Sequence, residues 1–208
     1  MIDTNAARVA PLDEAGAADA GAMLGRAFFD DPLWRWVLPD DARRREVLGA
    51  FMTIGVRYGI AHGHVDATAG REGCAVWLRP GDAEFDPERG MAVGLGEAPQ
   101  QLGEEGFGRF LAAMAHLTEP HRRLEPAAHW YLMILGVEPA AQRRGLGAAT
   151  LRPLLERADA AGVRCYLETQ KAANVPFYRA QGFEVREETD VPGGGPHLWL
   201  LSRVPHPR

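Results

Sequence analysis

The chain has 208 residues, of which 46% are apolar and 25% are charged, and this composition is typical of a globular protein with a proper core. The net charge of −5 and the absence of a basic run argue against nucleic acid as a partner. No apolar run approaches the ~18 residues that span a membrane, and the start lacks a signal-peptide pattern. We therefore expect a single domain over residues 1–208, cytoplasmic, with neither nucleic acid nor membrane as a partner.

The first half of the chain combines amphipathic helix patterns with short strand patterns. Apolar residues recur at helical spacing after Asp13 and after Asp40, and aspartate is a good helix N-cap. Asp30-Asp31-Pro32 is expected to end the first helix. Two apolar runs around a Gly-bearing turn predict paired strands. The predicted elements are a strand at Arg8 to Leu12, helices at Asp13 to Phe28 and Asp40 to Ile60, and strands at Val65 to Ala69 and Cys74 to Leu78.

The second half contains a strand–helix–strand pattern that predicts a βαβ crossover, and a crossover of this kind implies two parallel strands. Pro153 is unusual inside a helix, but the apolar spacing continues on both sides of it. The predicted elements are a loop with a short helix over 79–108, a helix over 107–117, the crossover formed by strand 130–137, helix 145–161 and strand 163–168, a helix over 175–181, strands near 183–187 and 197–203, and an irregular tail over 204–208.

The cysteines and histidines do not form a metal-binding pattern. Cys74 and Cys165 make no C-x-x-C pair, and each is expected to be a buried small apolar residue. His62 and His64 lack a visible third ligand. His129 is expected to pack or to form hydrogen bonds. We therefore expect no metal.

The most informative segment is Gln142-Arg143-Arg144-Gly145-Leu146-Gly147. It lies between a strand-like run and a helix start, where the first helical amides have no intrahelical partner and the macrodipole adds roughly +0.5 charge. Glycine at 145 and 147 leaves those amides open to a phosphate. The segment matches neither a Walker loop nor a dinucleotide fingerprint. It predicts a pyrophosphate site.

The pattern Q/R-x-x-G-x-G/A, followed by the segment from Asn174 to Phe183, resembles the acyl-coenzyme A site of the GNAT N-acetyltransferases. Further segments resemble puromycin N-acetyltransferase and its relatives. They are Ala27-Phe28, Asp31-Pro32, Ala75-Val76-Trp77, Glu125-Pro126, Trp130 and Leu167-Glu168-Thr169. The resemblance implies an α/β (α+β) fold, with a mixed, mostly antiparallel sheet flanked by helices and splayed parallel strands at the crossover. It also implies acetyl-CoA as donor and an amine as acceptor.

Carried over residue by residue, the resemblance implies a set of coenzyme contacts. The strand segment should pair with the pantetheine arm, the loop amides should hold the pyrophosphate, and the later segment should lie along the coenzyme. The residues are Leu135, Gly136, Val137, Gln142, Arg143, Arg144, Gly145, Leu146, Gly147, Ala148, Asn174, Phe177, Tyr178 and Arg179.

Two residues are candidates for proton transfer. Tyr178 would face the thioester sulfur, and a phenol of pKa near 10 can protonate a departing thiolate. The alternative is that Tyr178 only packs. Glu168 could act as a base through water, or could instead accept backbone hydrogen bonds where the strands splay. The sequence leaves both alternatives open for Glu168.

Tyr131 stands where histone-type members of the superfamily carry a glutamate, and a tyrosine is not a base near neutrality. Deprotonating a lysine-like amine at pH 7 costs roughly 4.6 kcal/mol, against about 1 kcal/mol for an α-amino-like group. The missing carboxylate therefore favours an amino-acid-like or aminonucleoside amine over a protein lysine.

Acceptor contacts are expected from Phe29 to Trp36 together with the loop region over 79–108, because acids beside flat apolar faces can hold a cationic amine. The alternative is that one tryptophan is core and that Asp31-Pro32 is only a helix stop. The expected acceptor contacts are Asp30, Asp31, Trp34, Trp36 and Tyr131.

The predicted function is transfer of an acetyl group from acetyl-CoA to a primary amine of a small molecule, by direct attack. Two alternatives stay open, a peptide or protein amine as acceptor and a non-catalytic acyl-CoA sensor. A homodimer is possible.

Overall fold

The computed structural model describes residues 8–84 and 86–206, which form seven strands and seven helices. The strands are β1 (Val9–Pro11), β2 (Gly63–Thr68), β3 (Gly73–Leu78), β4 (Trp130–Val137), β5 (Cys165–Thr169), β6 (Glu184–Asp190) and β7 (His197–Arg203). The helices are α1 (Ala17–Ala27), α2 (Pro32–Val37), α3 (Asp41–His62), α4 (Pro87–Ala92), α5 (Ala98–Leu124), α6 (Leu146–Ala161) and α7 (Val175–Ala180).

The strands form one sheet in the order β1-β2-β3-β4-β5-β7-β6. Neighbouring strands are antiparallel except β4 and β5, which α6 connects as a parallel pair. That pair is short, because Trp130 aligns with Cys165 and Tyr131 with Tyr166 before the two strands diverge. The predicted mixed sheet, with a central βαβ crossover and splayed parallel strands, is confirmed.

Helices cover both faces of the sheet, because alternate residues of each strand point to opposite faces. One apolar cluster joins α1, α2, α3 and α5 to one face, with Val76 at its centre. The other joins α6 and α7 to the opposite face through Ala75 and Trp77. Strands β4 and β5 separate between these layers.

The segment Asp30-Asp31-Pro32 starts a helix as well as following one. The Asp31 carboxylate accepts a hydrogen bond from the Leu33 N–H at 3.0 Å, and Pro32 occupies the first helical position of α2. Both features stabilise a helix start. The predicted end of the first helix is confirmed, since α1 ends at Ala27. The second helix was not predicted, although a capping aspartate followed by proline can also begin a helix.

Helix α5 is much longer than the predicted 107–117. It runs from Ala98 to Leu124 and is interrupted only at Gly103, whose φ of 75° and ψ of 162° are not helical. Its glycines suggested a loop, yet the buried positions Leu102, Gly106 and Phe110 keep helical spacing through them. Burial of this face outweighs the low helix propensity of glycine.

The other predicted elements are confirmed to within a few residues, and α6 is continuous through Pro153. Cys74 and Cys165 are free and buried, as expected. Residues 204–206 are irregular, while the last two residues of the predicted tail lie outside the described residues. Within the described ranges, no helix has the length and apolarity needed to cross a bilayer.

Candidate active site

A cleft of about 530 Å³ opens beside the splayed end of β4. Its walls come from the end of β4, the loop before α6, the first turn of α6, and α7. The lining residues are Ala27, Phe28, Asp31, Leu135, Gly136, Val137, Gln142, Arg143, Gly145, Leu146, Gly147, Ala148, Lys171, Ala173, Asn174, Phe177 and Tyr178. All but two of the predicted coenzyme contacts are in this set.

The loop before α6 has the backbone shape of an anion cradle. Arg143 and Gly145 have φ of 61° and 82°, and Gly145 is the N-cap of α6 with no side-chain hydrogen bond to its first turn. A Cβ at Gly147 would lie 3.4 Å from Cζ of Phe177 and 3.6 Å from Cγ2 of Val137, so a side chain there would fill the cleft. The first amides of α6 are thus open to a pyrophosphate.

Strand β4 has a free edge toward the cleft. Its ladder with β5 covers only Trp130 and Tyr131, whereas its ladder with β3 continues to Val137. The edge beyond Tyr131 is therefore available to an extended ligand that pairs like a strand. Gly136 allows α1 to pack closely on β4, because a Cβ there would collide with the Leu24 side chain of α1.

Two predicted coenzyme contacts lie outside the cleft. Arg144 is exposed and its Nη1 lies 3.4 Å from Oε1 of Glu72. Arg179 is exposed in the last turn of α7. Sequence position alone did not distinguish these side chains from Arg143, which lines the cleft.

A second, more enclosed cavity of about 180 Å³ lies between the sheet and helices α2, α3 and α5. Three of its wall residues pack as an aromatic group. The Trp34 ring lies 5.1 Å from Phe51 and 6.0 Å from Phe110, and Phe51 lies 5.1 Å from Phe110, measured between centroids. Phe51 packs edge-to-face on both other rings and Trp34 stacks on Phe110, and this packing fixes the shape of the wall.

The cleft and the cavity meet. They share the lining residues Phe28, Asp31, Leu135, Asn174 and Tyr178. A ligand bound along the cleft can therefore present a reactive group to a molecule held in the cavity.

Asp31 lies at this junction and is 4% exposed. Burial raises the pKa of its carboxyl group to about 6, although the charge of Lys171 and the backbone amides of α2 favour the ionised form. Its Oδ2 lies 3.9 Å from Nζ of Lys171. The side chain therefore joins the two spaces electrostatically as well as capping α2.

Glu168 lines the cavity from the end of β5. Burial raises the pKa of its carboxyl group to about 7, while the hydroxyl groups of Tyr131 and Tyr166 favour its charged form. Among the described residues, its Oε1 has no hydrogen-bond partner. A buried carboxylate with a free oxygen and a pKa near neutrality is suited to accept a proton.

Tyr178 lies in α7 at the junction and is 6% exposed. Burial, and next the charge of Asp31, raise the pKa of its hydroxyl above the ordinary value. The phenol therefore stays protonated near neutrality, which suits a proton donor.

The structure separates the five predicted acceptor residues. Asp31, Trp34 and Tyr131 line the cavity. Asp30 lines an open groove between α1 and α3, and Trp36 lies under Arg109, whose Nη1 donates to the Trp36 carbonyl oxygen at 2.9 Å. Trp34 and Trp36 diverge because residues two apart on a helix face different directions.

Sequence reasoning missed most of the cavity wall. The region over 79–108 contributes only Leu95, whereas α3 and α5 contribute more. The residues are Phe51, Met52, Ile54, Gly55, Tyr58, Phe110, Met114 and Leu117. It also missed Lys171, which lines the cleft. It missed His121 as well, whose ring stacks on that of Tyr166 with 4.1 Å between the ring centroids. Extending the helix beyond residue 117 would have placed His121 in the apolar layer.

Comparison with known proteins gives one family. The sequence profile of the family described as acetyltransferase (GNAT) family matches residues 70–183, more than half of the chain.

Solved structures with the same fold are distant in sequence. The histone acetyltransferase HPA2 and related acetyltransferase from Corynebacterium glutamicum is 21% identical, with a TM-score of 0.68 over 96% of this chain and 97% of the other. The Drosophila melanogaster polyamine N-acetyltransferase is 14% identical, with a TM-score of 0.63 over 95% and 99%. The Aedes aegypti arylalkylamine N-acetyltransferase 2 is 13% identical, with a TM-score of 0.60 over 96% and 99%.

Proposed function

Because the chain belongs to the acetyltransferase (GNAT) family, we propose that it transfers an acetyl group from acetyl-CoA to the primary amine of a small molecule. The observation that carries this proposal is the junction of the two spaces. Asp31 and Tyr178 line both the cleft with the phosphate-type loop and the enclosed cavity that contains Glu168.

The cleft residues fit the coenzyme. The amides of Gly145 to Ala148 would hold the pyrophosphate, Arg143 would add positive charge, and the free edge of Leu135 to Val137 would pair with the pantetheine arm. Bound acetyl-CoA supplies a thioester whose carbonyl carbon forms a bond to the amine nitrogen as its bond to sulfur breaks. Arg144 and Arg179 are left out of the proposed site.

Two side chains move the protons in this proposal. Glu168 accepts a proton from the ammonium group of the acceptor, which frees the nitrogen lone pair. Tyr178 donates a proton to the departing thiolate, since its raised pKa keeps the phenol protonated. The second proton that the nitrogen loses on forming the amide restores the phenol of Tyr178. A backbone N–H near Gly136 stabilises the developing oxyanion. One amide, one coenzyme A thiol and one proton are formed for each ammonium consumed.

The shape of the acceptor space supports a small molecule over a protein side chain. The cavity is small, enclosed and walled by the side chains of Trp34, Phe51 and Phe110. A peptide acceptor would need an open groove for its backbone on either side of the amine. Among the described residues, the open groove between α1 and α3 shares only Ile54 with the lining of this cavity.

Glu168 also changes the expectation for the acceptor pKa. The absence of a carboxylate at Tyr131 favoured amines of low pKa. With a buried carboxylate of pKa about 7 in the same cavity, an amine of ordinary pKa can also lose its proton to the protein. The amino-acid-like and aminonucleoside classes are therefore the starting point of the test and not its limit.

The test is thiol release from acetyl-CoA across puromycin, free amino acids, polyamines, aminoglycosides and a lysine peptide, beside a calorimetric titration with acetyl-CoA. We expect coenzyme binding and turnover of at least one small amine, with little turnover of the peptide. Preference for the peptide would make the protein a peptide acetyltransferase. Tight binding without turnover of any amine would favour an acyl-CoA sensor, and lack of coenzyme binding would overturn the proposal.

A further inference from the structure

From the two acidic side chains and the closed aromatic wall of the cavity, we infer that the acceptor is a small monoamine. Its apolar body has one or two rings, and it carries no carboxylate beside the amine. This inference rests on the proposed function and names the substrate class of the same site. It excludes free amino acids and large aminonucleosides, which the sequence favoured.

The charged side chains of the cavity disfavour an acceptor that carries a carboxylate. Asp31 and Glu168 line it, and among its described lining residues there is no lysine, arginine or histidine. Lys171 lies in the coenzyme cleft, where its Nζ is 3.9 Å from Asp31. A free amino acid would bring its carboxylate into an apolar space beside two acids and without a countercharge, which is unfavourable.

The same charges suit an ammonium group. A monoamine entering next to Asp31 places its single positive charge beside the acids and its apolar body among the rings. A diamine would carry its second charge toward Phe51, Phe110 and Leu117, where the described wall offers no acid. The arrangement therefore favours one charge at one end of the acceptor.

The size of the cavity limits the size of the acceptor. Its volume is about 180 Å³, and an apolar protein cavity of roughly 150 Å³ accommodates benzene. The packed rings of Trp34, Phe51 and Phe110 limit expansion, because each is held by the other two. One ring with a short alkyl arm fits this space, and two fused rings fill it. An acceptor the size of puromycin exceeds it.

The experiment compares acceptors that share one body. Phenethylamine, phenylalaninamide and phenylalanine differ only beside the amine, and kcat/KM is compared for each at one pH per ammonium form, which is the form that Glu168 deprotonates. We expect phenethylamine to exceed phenylalanine by about 100-fold, because a buried unpaired charge is strongly disfavoured. Phenylalaninamide, which has the same bulk without the charge, should lie within about tenfold of phenethylamine. Putrescine and puromycin should both be poor acceptors.

A variant tests the wall directly. Phe110→Ala enlarges the cavity and should raise the preference for tryptamine over phenethylamine by about tenfold, since a ring lost from a pocket changes discrimination by one or two orders of magnitude. Leu111→Ala is the matched control, because Leu111 is the next residue of α5 and is 43% exposed. It should leave the preference unchanged. Thermal melting of both variants checks folding, and the wild-type comparison stands even when Phe110→Ala does not fold.

The outcomes separate this inference from the proposed function. Equal use of phenylalanine and phenethylamine, or preference for putrescine or puromycin, would overturn the substrate class while leaving acetyl transfer intact. Coenzyme binding with no turnover of any monoamine would also overturn it. Failure to bind acetyl-CoA would instead remove the proposed function.

Discussion

Nε2 of His121 lies 2.7 Å from Nε2 of His129, behind the tyrosines that face Glu168. Nδ1 of His129 lies 2.8 Å from the carbonyl oxygen of Ala127, and a carbonyl oxygen can only accept, so that nitrogen carries the hydrogen. The two Nε2 atoms at this distance share one hydrogen, because two N–H groups facing each other would repel. Burial, and next the neighbouring His129, lower the pKa of His121 to about 4. His121 is therefore neutral near pH 7.

His121 and Glu168 should change the free energy of unfolding with pH in opposite directions. The pKa of His121 falls from 6.5 to about 4 on folding, so its contribution is present above pH 6.5 and is lost as the pH falls. The pKa of Glu168 rises from 4.5 to about 7, so its contribution is present below pH 4.5 and is lost as the pH rises. Each change amounts to about 3 kcal/mol at most.

Urea unfolding at several pH values between 4.5 and 7 measures how the free energy of unfolding changes with pH. Relative to wild type, the free energy of unfolding of Glu168→Gln should rise more with pH, and that of His121→Phe should rise less. Parallel curves for all three proteins would mean that neither group titrates with a shifted pKa.

The pH dependence of the rate should identify Glu168 as the base. With an alkylamine of pKa near 10.4, kcat/KM should rise up to pH 7 and then level off, because the reacting pair is the Glu168 carboxylate and the ammonium form. Glu168→Gln should lose the plateau, and its kcat/KM should keep rising toward the pKa of the amine. A plateau near pH 7 that persists in Glu168→Gln would assign the base elsewhere.

Tyr178→Phe should lower kcat by roughly 10²–10⁴-fold, since the thiolate would leave without a positioned acid. The calorimetric affinity for acetyl-CoA should stay nearly unchanged, because the ring and its contacts with Phe177 and Phe183 are kept. Full activity in this variant would reduce Tyr178 to a packing role.

Gly147→Asp should abolish coenzyme binding. The new side chain would enter the cleft beside Phe177 and Val137, and its charge would repel phosphate. Gly108→Asp is the matched control, because Gly108 is exposed on α5 and a Cβ there meets nothing within 4 Å. Calorimetry and thermal melting of both variants give the comparison. Binding retained by a folded Gly147→Asp variant would move the coenzyme to another site.

The two loop arginines should behave differently. Arg143 lines the cleft with a φ of 61°, whereas Arg144 faces Glu72. Arg143→Gly, which keeps the backbone conformation accessible, should weaken acetyl-CoA binding by about five- to tenfold through the lost charge. Arg144→Gly should change the dissociation constant by less than about twofold, as expected for an exposed pair. Equal losses in the two variants would contradict this assignment.

The sequence predicted those parts of the molecule that depend on local geometry. The glycines at 145 and 147 and the apolar spacing of α6 identify a phosphate-type loop and a crossover without knowledge of the tertiary structure. The hairpin of β2 and β3 and the cap at Asp40 are equally local. For these elements the backbone conformation follows directly from residue type.

The acceptor cavity could not be predicted in the same way. Phe51 and Tyr58 have the spacing of a core-facing helix side, and this spacing is identical whether the side faces core or cavity. The pKa of Glu168 is raised by burial and opposed by the hydroxyl groups of Tyr131 and Tyr166, which the register of β4 and β5 brings together. The sequence did not distinguish Asp31 from Asp30, because only the structure shows that Asp31 caps α2. Each of these properties arises from long-range packing.

Part of the acceptor cavity is encoded in a stretch of the chain that contributes little to the proposed donor cleft. Nine cavity residues lie between 28 and 58, before the family match begins at residue 70, whereas most of the cleft lies within that match. Acceptor preference can therefore diverge between homologues while the donor machinery stays constant. Exchanging residues 28–58 together with Phe110, Met114 and Leu117 of α5 between two such proteins would transfer the preference for one amine and leave the phosphate-type loop unchanged.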